Sequence, residues 1–171
     1  VFIDGLFGGG VAGSARKALS ARFPSARFVT LHCGAVSSVR DRAVECFYQL
    51  KGGQTDYCVA NPNLEKGHGR YGLKYPGLHP EWDETQPIHI IAYSLGAPTA
   101  RFLQHLLIRQ AFTNKNGDPM RSSGGWVASI TTLNGVNNGT VAVYAVGLSP
   151  FSKQPLPFSI LWWIFSLIYV A

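Results

Sequence analysis

Cysteine is scarce in this 171-residue chain, and its spacing is uninformative for metal or redox chemistry. The three cysteines, Cys33, Cys46 and Cys58, show no C-x-x-C spacing, which excludes a zinc ribbon and a dithiol redox motif of that type. Two arrangements stay open: one disulfide with a third thiol, or three buried thiols.

Acidic residues are also few, 9 against 15 Lys and Arg, which gives a net charge of +6. The basic residues are scattered along the chain and do not concentrate on one helix. Nucleic acid binding needs a concentrated basic patch with a reading element, so we predict no nucleic acid partner. We interpret these side chains, Arg42 among them, as an ordinary hydrated basic surface.

Apolar segments typical of strands alternate along the chain with segments typical of helices. This alternation predicts an α/β protein with a mostly parallel sheet. Polar residues from Asp56 to Pro87 predict a long loop between them. Strands are predicted at residues 1–3, 26–31, 88–93 and 126–133, and helices at 11–23, 95–111 and between Ser37-Ser38 and Gly52-Gly53.

The segment Ala92-Tyr93-Ser94-Leu95-Gly96 joins a predicted buried strand directly to a predicted helix. Such a junction turns so sharply that the serine hydroxyl projects above the sheet, and its neighbours two positions away must be small. Ala92 and Gly96 meet that demand. Ser94 is therefore the predicted nucleophile, and the Leu95 amide at the helix start is the natural donor to an oxyanion. The alternative is a serine that only caps a helix.

A second oxyanion donor is predicted from the glycine-rich turn that follows the first strand. Asp4-Gly5-Leu6-Phe7-Gly8 lies there, and the Leu6 amide is the candidate. A glycine-rich turn without a catalytic role is the alternative. A phosphate-binding loop is disfavoured, because no Gly-Lys-Ser/Thr ends the run.

Three stretches of the chain resemble the bacterial thermophilic and staphylococcal lipases, secreted triacylglycerol lipases of the α/β-hydrolase class. Residues 37–53 look like that family's second helix, residues 67–78 like its metal-bearing loop, and residues 88–101 like its nucleophile strand and helix. The resemblance runs from residue 1 to about residue 140. It implies an α/β-hydrolase-type sheet, a lipase or carboxylesterase activity, and lipid or acyl-ester substrates.

The chain departs from the family pattern at several positions. Asp4 stands where the family has a histidine, and Leu95 where many members have glutamine. The family's structural zinc is bound by two aspartates and two histidines, of which Asp41 and His68 match one each; the other histidine position falls near Asn61-Pro62. Zinc normally takes four ligands, so we predict no cofactor, with a zinc site at Asp41 and His68 as the alternative.

The residues after Ser94 do not supply the rest of a catalytic triad. α/β-Hydrolases order their triad as Ser, then Asp or Glu, then His, whereas here His105 precedes Asp118. We expect His105 on the helix surface and Asp118 in a turn. The sequence thus predicts the N-terminal part of an α/β-hydrolase domain at residues 1–140, truncated after the strand that follows the nucleophile helix.

Charge nearly disappears after Asn138, where Lys153 is the only charged residue. The final run, residues 156–171, is shorter than the ~20 residues that a membrane-spanning helix needs, and Pro157 interrupts it. We interpret residues 141–171 as a tail foreign to the domain, with a membrane anchor as the alternative.

The predicted function is therefore a serine lipase or carboxylesterase, with this chain an incomplete fragment. The alternative is a non-catalytic lipase-like protein that binds lipid or membrane without turnover. The resemblance implies a secreted protein. Membrane association through residues 156–171 is the alternative.

Overall fold

Four parallel strands form the central sheet of the computed structural model, in the order Thr30–Leu31, Phe2–Ile3, Ile88–Tyr93 and Val127–Leu133. Described are residues 1–6, 11–35, 37–59, 68–113, 118–152 and 154–163. They belong to two compact units, Val1–Gly135 and Val136–Ala171. The strands and helices of the first unit are β1 (Phe2–Ile3), α1 (Val11–Arg22), β2 (Thr30–Leu31), α2 (Val39–Lys51), β3 (Gly53–Asp56), β4 (Tyr71–Tyr75), β5 (Ile88–Tyr93), α3 (Gly96–Ile108) and β6 (Val127–Leu133).

The predicted central strand is confirmed as β5, which pairs in parallel with β1 on one side and with β6 on the other. Ile88, Ile90 and Ala92 are buried along it. The mostly parallel sheet and its crossover helices confirm the α/β fold class. Because β5 is central, its carboxyl end lies between the ends of two other strands, where α/β proteins form their binding sites.

Helix α2 begins and ends where the sequence predicts. The Ser38 side chain accepts a hydrogen bond from the Asp41 amide as the N-cap, and Gly52 ends the helix at a φ of +89°. Helix α3 is shorter than predicted: it ends at Ile108, and Gln110 takes a left-handed φ of +50°. A residue in that conformation cannot continue a right-handed helix.

Two predicted elements differ from the structure. The predicted loop from Asp56 to Pro87 contains β4, which pairs antiparallel with β3. Strands β3 and β4 are mostly exposed or half-buried and contain polar residues. They therefore lack the apolar alternation that would have predicted strands. The predicted strand at 26–31 is reduced to Thr30–Leu31, because its neighbour β1 offers only two residues for pairing.

Aromatic side chains pack α2 against the rest of the first unit. Phe47 of α2 stacks on Phe112 with ring centroids 3.5 Å apart. Trp82 is fully buried, and its indole nitrogen donates to the Trp126 carbonyl at 2.8 Å. These contacts fix α2, which carries much of the site described below.

Among the described residues of the second unit, Ala142–Ala145 form the short helix α4, and Leu148 and Pro155 form a bridge. Several large apolar side chains of this unit are exposed, with Phe151 93% and Phe158 78% accessible. Among the described residues, none of the helices combines the length and apolar character needed to cross a membrane.

Candidate active site

Ser94 occupies a strained turn between β5 and α3. Its φ is +51°, a left-handed conformation that non-glycine residues rarely adopt and that costs about 1–3 kcal/mol. Two hydrogen bonds hold the turn: the Ser94 amide donates to the Leu133 carbonyl at 3.0 Å, and the Ala97 amide donates to the Ser94 carbonyl at 3.0 Å. The predicted sharp junction is therefore present, and Ser94 lies at its apex.

Small residues let this turn sit against β1. A Cβ atom placed on Gly96 would lie 2.2 Å from the Ile3 carbonyl oxygen, so no larger residue fits without moving the backbone. Ala92 is fully buried and pairs with Ile3 across the sheet. The requirement for small side chains on both sides of Ser94 thus has a specific cause, the close approach of β1.

The chain leaving β1 passes directly beside Ser94. A Cβ on Gly5 would lie 2.9 Å from Ser94 Cβ and 3.3 Å from its Oγ. Leu6 follows immediately and is about half exposed. On the other side of Ser94, Leu95 is the N-cap of α3, where backbone amides lack intrahelical acceptors. Gly5 and Ser94 are thus in contact at the turn, and the two predicted oxyanion donors, the amides of Leu6 and Leu95, belong to the residues that directly follow them.

Arg42 is buried behind this turn, which corrects its interpretation as part of a hydrated basic surface. Only 1% of it is exposed. Its guanidinium donates to the carbonyls of Asp4 at 2.6 Å and Gly5 at 3.4 Å, and to that of Gly34 at 2.8 Å. The strand end that approaches Ser94 is therefore held from behind by a charged group on α2.

The same guanidinium also contacts α3. Arg42 Nε donates to Thr99 Oγ1 at 3.3 Å, and the Thr99 hydroxyl donates to the Leu95 carbonyl at 2.8 Å. Arg42 therefore connects the segment that leaves β1 to the start of α3. Sequence patterning could not identify it, because a charged residue in a helix normally lies on the solvent face.

Asp41 and His68, the candidate metal ligands, lie close together. Asp41 Oδ2 is 3.4 Å from His68 Nε2 and accepts a hydrogen bond from the Ser38 hydroxyl at 2.7 Å. Within the described ranges, no group of three or more potential ligand side chains is arranged for a metal ion. Asn61-Pro62 lies outside the described residues. Two ligands do not fit a four-coordinate zinc site.

His105 and Asp118, the histidine and the acid that follow Ser94 in the sequence, are both exposed. His105 is exposed on α3, where its ring packs against Phe102 with centroids 5.7 Å apart. Asp118 is exposed after α3. The exposure of His105 agrees with its expected location on the surface of the helix.

The comparison with protein families decides the affiliation of the chain. Residues 27–159 match the family described as "Lipase-like, C-terminal domain". This match covers more than three quarters of the chain. The chain belongs to this family. The lipase of Staphylococcus hyicus is 36% identical over 132 residues, which is 71% of this chain and 20% of that lipase. A Staphylococcus epidermidis lipase is 36% identical over 130 residues, which is 70% of this chain and 19% of that protein.

Solved structures give the same affiliation. The S. hyicus lipase structure superposes with a TM-score of 0.72 and 28% identity, over 97% of this chain and 46% of that one. Lipase 1 from Pelosinus fermentans gives a TM-score of 0.65 and 33% identity, over 85% of this chain and 43% of that one. The resemblance to staphylococcal-type lipases is confirmed. The chain spans about a fifth of the length of the curated relatives it matches.

The family match continues beyond the point at which the sequence resemblance was placed. It ends at residue 159, whereas the resemblance was followed to about Thr140. Residues 141–159, interpreted from the sequence as foreign, therefore belong to the matched region. The compact unit that contains them begins at Val136.

Proposed function

We propose that this chain carries the nucleophile site of a carboxylic ester hydrolase, with Ser94 as the nucleophile. The observation that carries the proposal is the left-handed turn at Ser94, held against Gly5 with no room for a Cβ between them. A serine that only capped a helix would need no such strain, because N-caps ordinarily adopt extended backbone. The family affiliation supports the same chemistry.

In the proposed reaction, Ser94 Oγ attacks the ester carbonyl carbon and the carbonyl oxygen becomes an oxyanion. The amides of Leu6 and Leu95 donate to that oxyanion. Their hydrogen bonds stabilise the transition state most, because the negative charge develops there. The serine proton passes to a general base and then to the alcohol, which departs as its bond to the carbonyl carbon breaks and leaves an acyl–Ser94 ester; water then hydrolyses that ester, releases the carboxylic acid and restores the serine. We assign no base within this chain, since His105 and Asp118 lie on the surface in the reverse of the usual order.

The proposed substrates are lipid or acyl esters. The relatives are named lipases, and the second unit exposes apolar side chains suited to a lipid surface. We propose contact with lipid or membrane through the apolar run that begins at Leu156, and secretion as the location of the protein.

Hydrolysis of a short soluble ester tests the proposed nucleophile. The chain should hydrolyse p-nitrophenyl butyrate faster than its Ser94→Ala variant. Oxyanion donors and substrate binding give about 10³–10⁴-fold acceleration over water without any serine nucleophile, so all rates are compared with imidazole added as an external general base, and the excess over Ser94→Ala reports the nucleophile. Ser129→Ala is the matched control, because Ser129 is exposed on β6, and its rate should equal that of the unmodified chain. Equal rates in all three proteins, each with a cooperative melting transition, would contradict the proposal.

A non-catalytic lipid-binding protein is the second candidate, favoured by the exposure of Phe151 and Phe158 in the second unit. The chain should float with phosphatidylcholine vesicles in a density gradient. Substitution of both residues by serine should abolish flotation. Leu73→Ser is the matched control, because Leu73 is 70% exposed but lies on β4 in the first unit. Flotation together with no Ser94-dependent hydrolysis would favour this candidate over the hydrolase.

A further inference from the structure

Two cysteine side chains, one following β2 and one on α2, lie in contact. Cys33 Sγ is 3.2 Å from Cys46 Sγ, although the residues are 13 positions apart in sequence. Cys33 follows β2 and is partly exposed, whereas Cys46 is fully buried in the middle of α2. The Cys33 thiol also reaches the Arg42 carbonyl at 3.6 Å.

One face of α2 holds the Cys33 backbone on both sides. Gln49 exchanges two hydrogen bonds of 2.9 Å with the backbone of His32. The Gly34 amide donates to Glu45 Oε2 at 2.7 Å, and the Gly34 carbonyl accepts from Arg42 at 2.8 Å. Residues 42, 45, 46 and 49 share a helix face. The neighbours of Cys33 are thus fixed to the helix that carries Cys46.

We propose that Cys33 and Cys46 form a disulfide when the chain meets a small-molecule disulfide such as oxidised glutathione. The two sulfur atoms are already 3.2 Å apart, so an approach of about 1 Å brings them to the length of a disulfide bond. Cys58 is the third cysteine, buried after β3, and takes no part in the bond. The pairing therefore selects the first of the two arrangements that the sequence left open.

The reaction is a thiol–disulfide exchange in two steps. Hydrogen bonding with Cys33, together with burial, raises the pKa of the Cys46 thiol. Cys33 is therefore the thiol that reacts first: its thiolate attacks the oxidised glutathione, forms a mixed disulfide and releases one glutathione thiol. Cys46 sulfur then attacks Cys33 sulfur and expels the second. Two protein thiols lose two electrons and two protons, which end on two molecules of reduced glutathione.

The bond would tie the Cys33–Gly34 loop covalently to α2. Since the Gly34 carbonyl is one of the acceptors of Arg42, the same bond fixes the residue that holds Asp4 and Gly5. The inference depends on no ester chemistry, so its failure would leave the Ser94 proposal unaffected, and the converse holds too.

Peptide mapping after oxidation tests the pairing on the unmodified chain. The chain is incubated with oxidised glutathione, its remaining thiols are alkylated, and it is digested with trypsin without reduction. Trypsin separates the cysteines into peptides 28–40, 43–51 and 52–66. The expected product is peptide 28–40 linked to peptide 43–51, with Cys58 alkylated. A linked pair that includes Cys58, or glutathione retained on Cys33 as the end product, would overturn the proposal.

Thermal melting gives a second readout. The closed loop should raise the melting temperature by about 6–12 °C relative to the reduced chain, and dithiothreitol should reverse the shift. Cys33→Ser should remove the oxidant-dependent shift, and the matched control Cys58→Ser should keep it. A shift that survives in Cys33→Ser, or is lost in Cys58→Ser, would contradict the assigned pair.

Discussion

At the scale of single residues, the geometry around Ser94 depends on two glycines, which have no side chain. Gly5 and Gly96 let β1 and the Ser94 turn approach to distances that any Cβ would prevent. The sequence predicts a small residue at 96 from the turn itself, because that position is two residues from Ser94. It cannot predict the contact of Gly5, because that contact joins segments 89 positions apart in the chain.

Gly5→Ala should therefore damage the site more than the fold. The added Cβ lies 2.9 Å from Ser94 Cβ, so the serine or the β1 exit must shift. We expect a loss of about 1–3 kcal/mol in the free energy of unfolding. Ser94-dependent ester hydrolysis should fall about 10²-fold, as for comparable misplacements of reacting groups.

Gly13→Ala is the control for this substitution. A Cβ on Gly13 meets nothing within 4 Å, and the residue lies in α1, where alanine is favoured over glycine. Its unfolding free energy should rise by about 0.5–1 kcal/mol, with no change in hydrolysis. If Gly5→Ala were as stable and as active as the unmodified chain, the close contact at Ser94 would be wrong.

Arg42 is the second residue-scale prediction. Arg42→Ala leaves the buried carbonyls of Asp4, Gly5 and Gly34 without that donor, which should cost at least about 3 kcal/mol of unfolding free energy. Arg42→Lys keeps the charge but not the planar fork, so its loss should be intermediate. Urea denaturation measures both. Arg101→Ala on the exposed face of α3 is the control and should stay within about 0.5 kcal/mol. Equal effects at both positions would contradict the role of Arg42.

At the scale of elements, the sequence predicts those parts whose local signals agree with their surroundings. The Ser38 cap, the Gly52 end and the apolar β5 all lie where expected, because capping and burial determine them locally. The pairing of β3 with β4 was not predicted. Most of the residues that it joins, such as Thr55 and Leu73, are 18 or more positions apart in the sequence. Such a pairing leaves no periodic signal in either strand.

Part of the hairpin's stability should depend on pH through Asp56. Burial alone would raise its pKa, but the hydrogen bonds from Arg70 and from the Cys58 amide outweigh burial and lower it below 3.8. A carboxylate whose pKa is lower in the folded state stabilises that state above its unfolded pKa and loses the effect as the pH falls through the folded value.

Asp56→Asn should remove this pH-dependent stabilisation. The unmodified chain should melt a few degrees higher than the variant at pH 6, and the difference should shrink as the pH falls below 3.8. Melting curves by circular dichroism at several pH values measure it. A difference that is constant from pH 6 to pH 2.5 would show that Asp56 acts by packing and not by charge.

At the scale of the whole molecule, the family affiliation follows from several motifs together. The serine turn alone is common, whereas residues 37–53, 67–78 and 88–101 jointly resemble one lipase group, and the family match confirms it. The resemblance was followed in the sequence to about Thr140, and the family match ends at residue 159. Arg42 lay inside a recognised stretch, yet its role required the fold.

Labelling of Ser94 by a fluorophosphonate tests the central claim most directly. Tryptic peptide 75–101 contains Ser94 as its only serine. An increase in the mass of this peptide by the mass of the probe therefore shows that Ser94 is labelled. With imidazole added as an external general base, we predict that this peptide gains the probe in the folded chain, and that prior unfolding in urea prevents the reaction. An unlabelled peptide 75–101 in a chain that still melts cooperatively, or labelling that survives unfolding, would contradict the assignment of Ser94 as a positioned nucleophile.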